Sequence, residues 1–163
     1  MRRPECYNSS PNNGWRVYKF LEATVGDFMT RGVAAVTRDM TMRDLYALVE
    51  KDDFNTYPVI DGDKVVGIIT KFDFLKCFAL QPGSLVPHYD ELMKRTVAEL
   101  MTPEFIAVDE ASVLPRVLQL MVEHRMRSII VASADRRLKG IISREDVMRA
   151  LQACDAADAR AAT

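Results

Sequence analysis

The chain has 163 residues, is 48% hydrophobic and 28% charged, and carries a net charge of −1. That composition supports the core of one domain, or of two small fused units, and it lacks the basic excess that nucleic acid or an anionic membrane surface selects for. No apolar run approaches the roughly 20 residues a membrane helix needs, and Arg2-Arg3 is followed by the polar stretch Pro4 to Asn13 rather than by the apolar centre of an export signal.

Cys6, Cys77 and Cys154 form an odd set without a pairing pattern, which points to a reducing, cytoplasmic setting rather than a disulfide framework. His88 and His124 lie far from every cysteine, so no metal-ligand spacing is present.

Residues 1–13 read as a flexible arm, rich in Pro, Asn and Ser. From Trp15 the spacing of Val17, Tyr18, Phe20, Leu21 and Val25 predicts a helical segment. Val33 to Thr37 reads as a short strand. Thr41-Met42-Arg43-Asp44 is a helix start, in which the Thr41 hydroxyl accepts from the backbone near Asp44. Met42, Leu45, Tyr46, Leu48 and Val49 then keep helical spacing to about Asp53. Tyr57 to Ile60 is strand-like, and Pro58 is expected to place it at a sheet edge or at its own first residue. Asp61-Gly62 signals a hairpin, and Val65 to Ile69 is a continuous apolar run expected to be buried on both faces. Thr70 opens a further helix carrying Phe72, Phe74, Leu75 and Phe78.

Residues 81–88 are a linker by composition, after which the programme repeats. Thr96-Val97-Ala98-Glu99-Leu100-Met101-Thr102 follows Thr24 to Thr30 at 72 residues' distance, and Gly140-Ile141-Ile142-Ser143-Arg144-Glu145-Asp146 repeats Gly67-Ile68-Ile69-Thr70-Lys71-Phe72-Asp73. Ser128 to Val131 aligns with Tyr57 to Ile60, which sets Arg127 against Thr56 and Ile129-Ile130 against Pro58-Val59. Between them, Ala107 to Asp109 is a strand and Ser112 to about His124 a helix, with Pro115 tolerated in its first turn. Residues 153–163 are expected to be a flexible tail. Each half is thus β-α-β-β-α, too small to stand alone. The expected fold is α/β (α+β), two pseudo-symmetric repeats packed sheet to sheet, with repeat 1 and its preceding helix over 14–80 and repeat 2 over 89–152.

The ordered set of Thr-Val-x-x-(Phe/Leu)-Met-Thr, Tyr57-Pro58-Val59-Ile60-Asp61 and Gly-Ile-Ile-(Thr/Ser)-x-x-Asp resembles a tandem pair of CBS domains, the modules named after cystathionine β-synthase, over about Thr24 to Leu151. The resemblance implies two clefts for adenosine compounds: AMP, ADP, ATP, S-adenosylmethionine or NADH. It implies that Thr70 with Asp73, and Ser143 with Asp146, hold ribose hydroxyls. It also implies that the backbone of the first strands, near Val33 to Val36 and Phe105 to Val108, meets the adenine, with Val33, Val36, Ile106 and Val108 as its surroundings, and that Arg127 is a phosphate contact. Tyr57, Tyr46 and Phe54 are aromatic candidates to stack on the base, with core or interface packing the favoured role.

Read for chemistry alone, Thr/Ser-x-x-Asp is also a capping box, its acid satisfying helix donors. Lys71 and Arg144, just inside the two signature helices, are further phosphate candidates, with His124 and Arg125 nearby, although each basic residue alone reads equally well as a solvated face. Because Arg127 has no basic counterpart in the first repeat, one phosphate-competent cleft and one weaker cleft are expected. No Ser/His/Asp or Cys/His arrangement, no phosphate-cradling glycine loop and no paired catalytic carboxylates occur, so no enzyme is expected. The expected function is a regulatory adenosine-nucleotide sensor acting through a homodimer or a regulated partner protein. The alternative is a structural dimerisation scaffold with non-functional clefts. Apolar signature helices (Phe72, Phe74, Leu75 and Phe78; Val147, Met148 and Leu151) together with the family's habit predict the homodimer.

Overall fold

A computed structural model describes residues 19–52, 54–79 and 88–160, the last six of these in backbone only. The expected N-terminal arm, residues 15–18, Asp53 and most of the linker lie outside the described residues. A single 3-10 turn, Lys19–Leu21, precedes α1 (Val25–Phe28), β1 (Val36–Thr37), α2 (Met42–Asp52), β2 (Thr56–Asp61), β3 (Lys64–Thr70) and α3 (Lys71–Lys76). After α4 (Tyr89–Lys94) the second set follows: α5 (Val97–Leu100), β4 (Ala107–Val108), α6 (Leu114–Glu123), β5 (Ser128–Ala132), β6 (Leu138–Ser143) and α7 (Arg144–Arg160). No helix among the described residues is long and apolar enough to cross a membrane.

Each half builds a three-stranded sheet, ordered β1-β2-β3 and β4-β5-β6, with the first pair parallel and the second antiparallel. Thr41 caps α2 as its spacing predicts, its hydroxyl accepting from the Asp44 N–H at 3.2 Å, and Gly62 takes the positive φ that the β2–β3 hairpin needs. Pro58 departs from expectation, because it is the third residue of a central strand. It is tolerated there because Ile68 opposite exchanges its backbone bonds with Thr102 instead, and β1 begins pairing only at Val59. Pro58 therefore has no ladder bond to lose.

The sheets pack face to face through Val65, Ile130, Ala132 and Ile141, with Val33, Ile68 and Phe105 against them. Two further cores lie between sheets and helices. The duplicated opening segments are exchanged between them. Val25, Phe28 and Met29 pack in the second half's core, and Val97, Leu100 and Met101 in the first half's. The backbone shows the same exchange. Val25 N–H donates to Ser112 at 2.9 Å and Gly26 to Glu110 at 2.8 Å, while Val97 donates to Met40 and Ala98 to Arg38, each at 2.9 Å. Thr30 then pairs with Ile141 on the outer edge of β6, and Thr102 with Ile68 on that of β3. This crossing strand explains the glycine of each signature: a Cβ on Gly67 would lie 2.8 Å from the Thr102 carbonyl, and one on Gly140 would collide with the Thr30 carbonyl.

β3 is packed on both faces, as its apolar run predicts, but unequally: Ile69 enters the helix-side core and Ile68 the sheet-to-sheet core, where it is only half-buried. The expected tail is a correction. Residues 153–160 continue α7, and Cys154 is buried in the second core. Phe20 is buried there too, so the preceding segment packs, as far as it is described, on its own chain.

Candidate ligand clefts

Both signatures place their acid where a strand hands over to a helix. In the first, Asp73 Oδ2 accepts from the Thr70 N–H at 3.0 Å and the Thr70 hydroxyl at 2.6 Å, and the Asp73 N–H donates back to that hydroxyl at 3.1 Å. In the second, Asp146 Oδ2 accepts from the Ser143 N–H and hydroxyl, both at 2.8 Å, with the return bond at 3.2 Å. These are complete capping boxes. The other oxygen of each acid meets a cation one turn on: Lys76 at 2.8 Å from Asp73, Arg149 at 2.5 Å from Asp146. Neither cation was singled out from sequence, although its position three residues after each acid was there to be read.

The carboxylates are nearly enclosed, Asp73 8% exposed and Asp146 4%. A carboxylate offers about four acceptor positions. Three are taken in each case, so one remains for a ligand hydroxyl while the cation stays. A second opens if the cation swings out, for which Lys76 (56% exposed) must leave the Phe72 ring and Arg149 (60%) must release the Phe28 carbonyl, to which it donates at 3.2 Å. Burial pushes the Asp73 carboxyl up, but the Lys76 ammonium and the Thr70 hydrogen bonds outweigh it and hold the group below its ordinary range.

Two cavities flank these signatures. The larger, about 600 Å³, is lined by Ile68, Thr70, Lys71, Phe72 and Leu75 from the first half, and by His124, Arg125 and Met126 from the second. The smaller, about 320 Å³, is lined by Thr30, Phe54, Ile141, Ser143, Glu145 and Asp146. Asn55, Thr56, Arg127 and Ser128 line both. Ser128 donates its hydroxyl to Thr56 Oγ1 at 2.9 Å, and Arg127 reaches Asn55 Oδ1 at 3.5 Å. The two clefts thus stand back to back across the pseudo-two-fold axis.

Strand register corrects one alignment. Thr56 pairs with Thr70 and Ser128 with Ser143, while Lys71 N–H donates to the Asn55 carbonyl and Arg144 N–H to that of Arg127. Arg127 is therefore the counterpart of Asn55, not of Thr56, and Ile130 that of Pro58. The apolar runs fit either alignment; only the backbone pairing selects one.

The sequence-derived site residues fall into three groups. Thr70, Lys71 and Arg127 line the larger cleft, and Ser143, Asp146 and Arg127 the smaller. Asp73 stands one turn behind Thr70, outside the lining of the larger cleft. Arg144 turns away: its Nε donates to the Met126 carbonyl at 2.8 Å, and its side chain borders an apolar groove between α6 and α7 with Val122, Val147 and Met148. Of the adenine surroundings, Val36, Tyr57 and Val108 are interior to the helix-side cores, with Ile106 packed beside Val108 and Val33 between the sheets. None of the five lines either cleft. Apolar lining comes instead from Ile68, Phe72, Leu75 and Met126 in the larger cleft and Phe54 and Ile141 in the smaller.

Comparison with known proteins agrees with this architecture. MJ1225 of Methanocaldococcus jannaschii is 26% identical over 132 residues, covering 77% of this chain and 46% of its own length. Its crystal structure superposes with a TM-score of 0.72 over 78% of this chain. CBSX2 of Arabidopsis thaliana is 30% identical over 149 residues, 78% of this chain and 63% of its own length. The crystal structure of CBSX2 in complex with AMP gives a TM-score of 0.70, with 81% of this chain and 98% of that one covered. The CBS domain pair of MJ0100, in complex with 5′-methylthioadenosine and S-adenosyl-L-methionine, gives 0.62 at 25% identity, over 78% of this chain and 98% of that one. The chain spans about half to two-thirds of the length of these curated relatives. With the CBS domain matched twice, over residues 25–80 and 97–153, the chain belongs to the CBS domain family as a tandem pair.

Proposed function

We propose that this chain is a regulatory module that binds adenosine compounds (AMP, ADP, ATP, S-adenosylmethionine or NADH) in its two clefts, with the phosphorylated ones preferring the Thr70 cleft. One observation carries this reading. Two cavities of ligand size are each walled by a signature hydroxyl, and the cations are gathered unequally between them: Lys71, Arg125 and Arg127 with His124 at the larger, against Arg127 with Glu145 and Asp146 at the smaller. Phosphate is held by such convergent cations. The complexes of CBSX2 with AMP and of the MJ0100 pair with 5′-methylthioadenosine and S-adenosyl-L-methionine support the ligand class.

The reading is of a binding module rather than an enzyme. The signature acids already serve as caps, and burial pushes the Cys77 thiol up, away from the thiolate form a nucleophile needs. The output would pass through a homodimer or a regulated partner in the cytoplasm. Exposed Phe72 and Leu75 on α3, Val122 on α6 and Met148 on α7 supply apolar surface for the homodimer, and a monomer by light scattering at micromolar concentration would count against it.

A scaffold with idle clefts is favoured by one observation, the three internal partners that each carboxylate already has. Titration calorimetry against AMP, ADP, ATP, S-adenosylmethionine and NADH decides between the two. Heat from at least one ligand is expected, and silence from all five would leave the scaffold.

A further inference from the structure

The two clefts hold one cation in common. Among the described residues, Lys71, Arg125 and His124 line the Thr70 cleft alone, no second Lys, Arg or His lines the Ser143 cleft, and Arg127 lines both. Its pseudo-symmetric counterpart, Asn55, is neutral and also lines both. Without Arg127 the Ser143 cleft presents only the acids Glu145 and Asp146 among its charged residues. The Arg127 side chain is exposed, and its bond to Asn55, at 3.5 Å, is a long one.

We propose that Arg127 couples the two clefts negatively for phosphorylated ligands: a phosphate in the Thr70 cleft draws the guanidinium to itself and lowers the affinity of the Ser143 cleft for a second phosphate. The inference rests on the nucleotide reading above and adds to it a regulation that the reading does not require. A guanidinium presents its donors as one planar fork, and bidentate capture of one phosphate commits that fork. The second phosphate then meets a cleft with two acids and a spent cation. It also faces the first phosphate across the Thr56–Ser128 hydroxyl pair, which lines both clefts. By linkage the penalty is reciprocal. Adenosine, with no phosphate, escapes it.

The clefts can be read separately, because Ile68 lines only the Thr70 cleft and Ile141 only the Ser143 cleft. The experiment is a methyl NMR titration of the full chain with AMP and with adenosine, following the isoleucine δ1 signals of these two residues. With AMP, Ile68 responds first and Ile141 at concentrations roughly tenfold or more higher, within the usual range of such couplings. In Lys71→Gln/Arg125→Gln, which weakens only the Thr70 cleft, the Ile141 response moves to lower AMP by several-fold. Adding Arg127→Gln abolishes that gain. With adenosine, the Ile141 response of Lys71→Gln/Arg125→Gln equals the parent's. An Ile141 affinity for AMP unmoved by Lys71→Gln/Arg125→Gln, or an Ile141 signal that never responds, overturns the coupling while leaving the Thr70 cleft as a nucleotide site. Absence of any response to either ligand overturns the nucleotide reading and the coupling with it. Amide spectra and thermal midpoints of the variants, whose substituted side chains project from the cleft walls, verify that each is folded.

Discussion

Asp146 can be a helix cap, a ligand contact or both, and two substitutions separate these roles. Asp146→Ala removes the acceptor for the Ser143 N–H and hydroxyl and the partner of Arg149. Loss of such a cap costs about 0.5–2 kcal/mol, and the Arg149 pair adds at most about 1 kcal/mol because the guanidinium is 60% exposed. In a chain of this size each kcal/mol moves the thermal midpoint by about 2–4 °C, so a fall of about 1–12 °C is expected. Asp146→Asn keeps a carbonyl oxygen for both Ser143 donors and forfeits the charge and the oxygen that accepts from Arg149, an exposed pair, so its midpoint should fall by less than about 4 °C. Binding divides differently. A hydrogen bond from a ribose hydroxyl to a charged acceptor is worth about 1.5–3 kcal/mol, so both variants should weaken the Ser143 cleft for adenosine by roughly tenfold or more. Differential scanning calorimetry and the Ile141 titration supply the two readouts. If Asp146→Asn binds adenosine in that cleft as tightly as the parent, the carboxylate is a cap and nothing more.

Gly140→Ala sets a Cβ against the Thr30 carbonyl and strains the paired Thr30–Ile141 backbone bonds of 2.9 and 3.0 Å. Overpacking of about 1–3 kcal/mol should exceed the entropic gain of about 0.4–1 kcal/mol, and urea unfolding showing a variant as stable as the parent would contradict the crossing strand. The folded Asp73 carboxyl titrates below its ordinary 3.8, so its contribution to stability is complete above that value and is lost as pH falls through the lower folded value. Urea midpoints should therefore drop less steeply below pH 4 in Asp73→Asn than in the parent, by under about 1 kcal/mol given the exposure of Lys76; identical acid limbs would refute the pairing. Arg144→Gln should leave AMP affinity within about twofold, an effect of under about 0.5 kcal/mol, because the side chain is spent on the Met126 carbonyl; calorimetry showing a tenfold loss would place it in a cleft after all.

The repeats, their strand and helix order and the two signatures were legible because each rests on local chemistry: a hydroxyl three residues before an acid, a glycine after an aspartate, apolar spacing at helical period. The packing was less so. Val25 and Val97 belong to matching opening segments, but an apolar residue does not say in which core it is buried, and so the exchange of these segments was invisible. Arg144 occupies a helical position that promises exposure without giving a direction, and the Met126 carbonyl decides it. Arg127 and Asn55 could be matched only once Ser128 was seen opposite Ser143. Val36, Tyr57 and Val108 belong to strands that border a ligand site in the resembling family, and their side chains are buried in the helix-side cores and line neither cleft.

The exchanged opening segments limit how the molecule can move. A pair of lobes joined by a linker could swing about a hinge and open its clefts like jaws. Here each lobe's outer sheet edge is bridged to a segment that belongs to the other, at Thr30–Ile141 and Thr102–Ile68, so a hinge rotation would have to break both bridges at once. The motion that such stitching leaves open is small sliding of packed elements, the shear mode, rather than a swing of whole lobes.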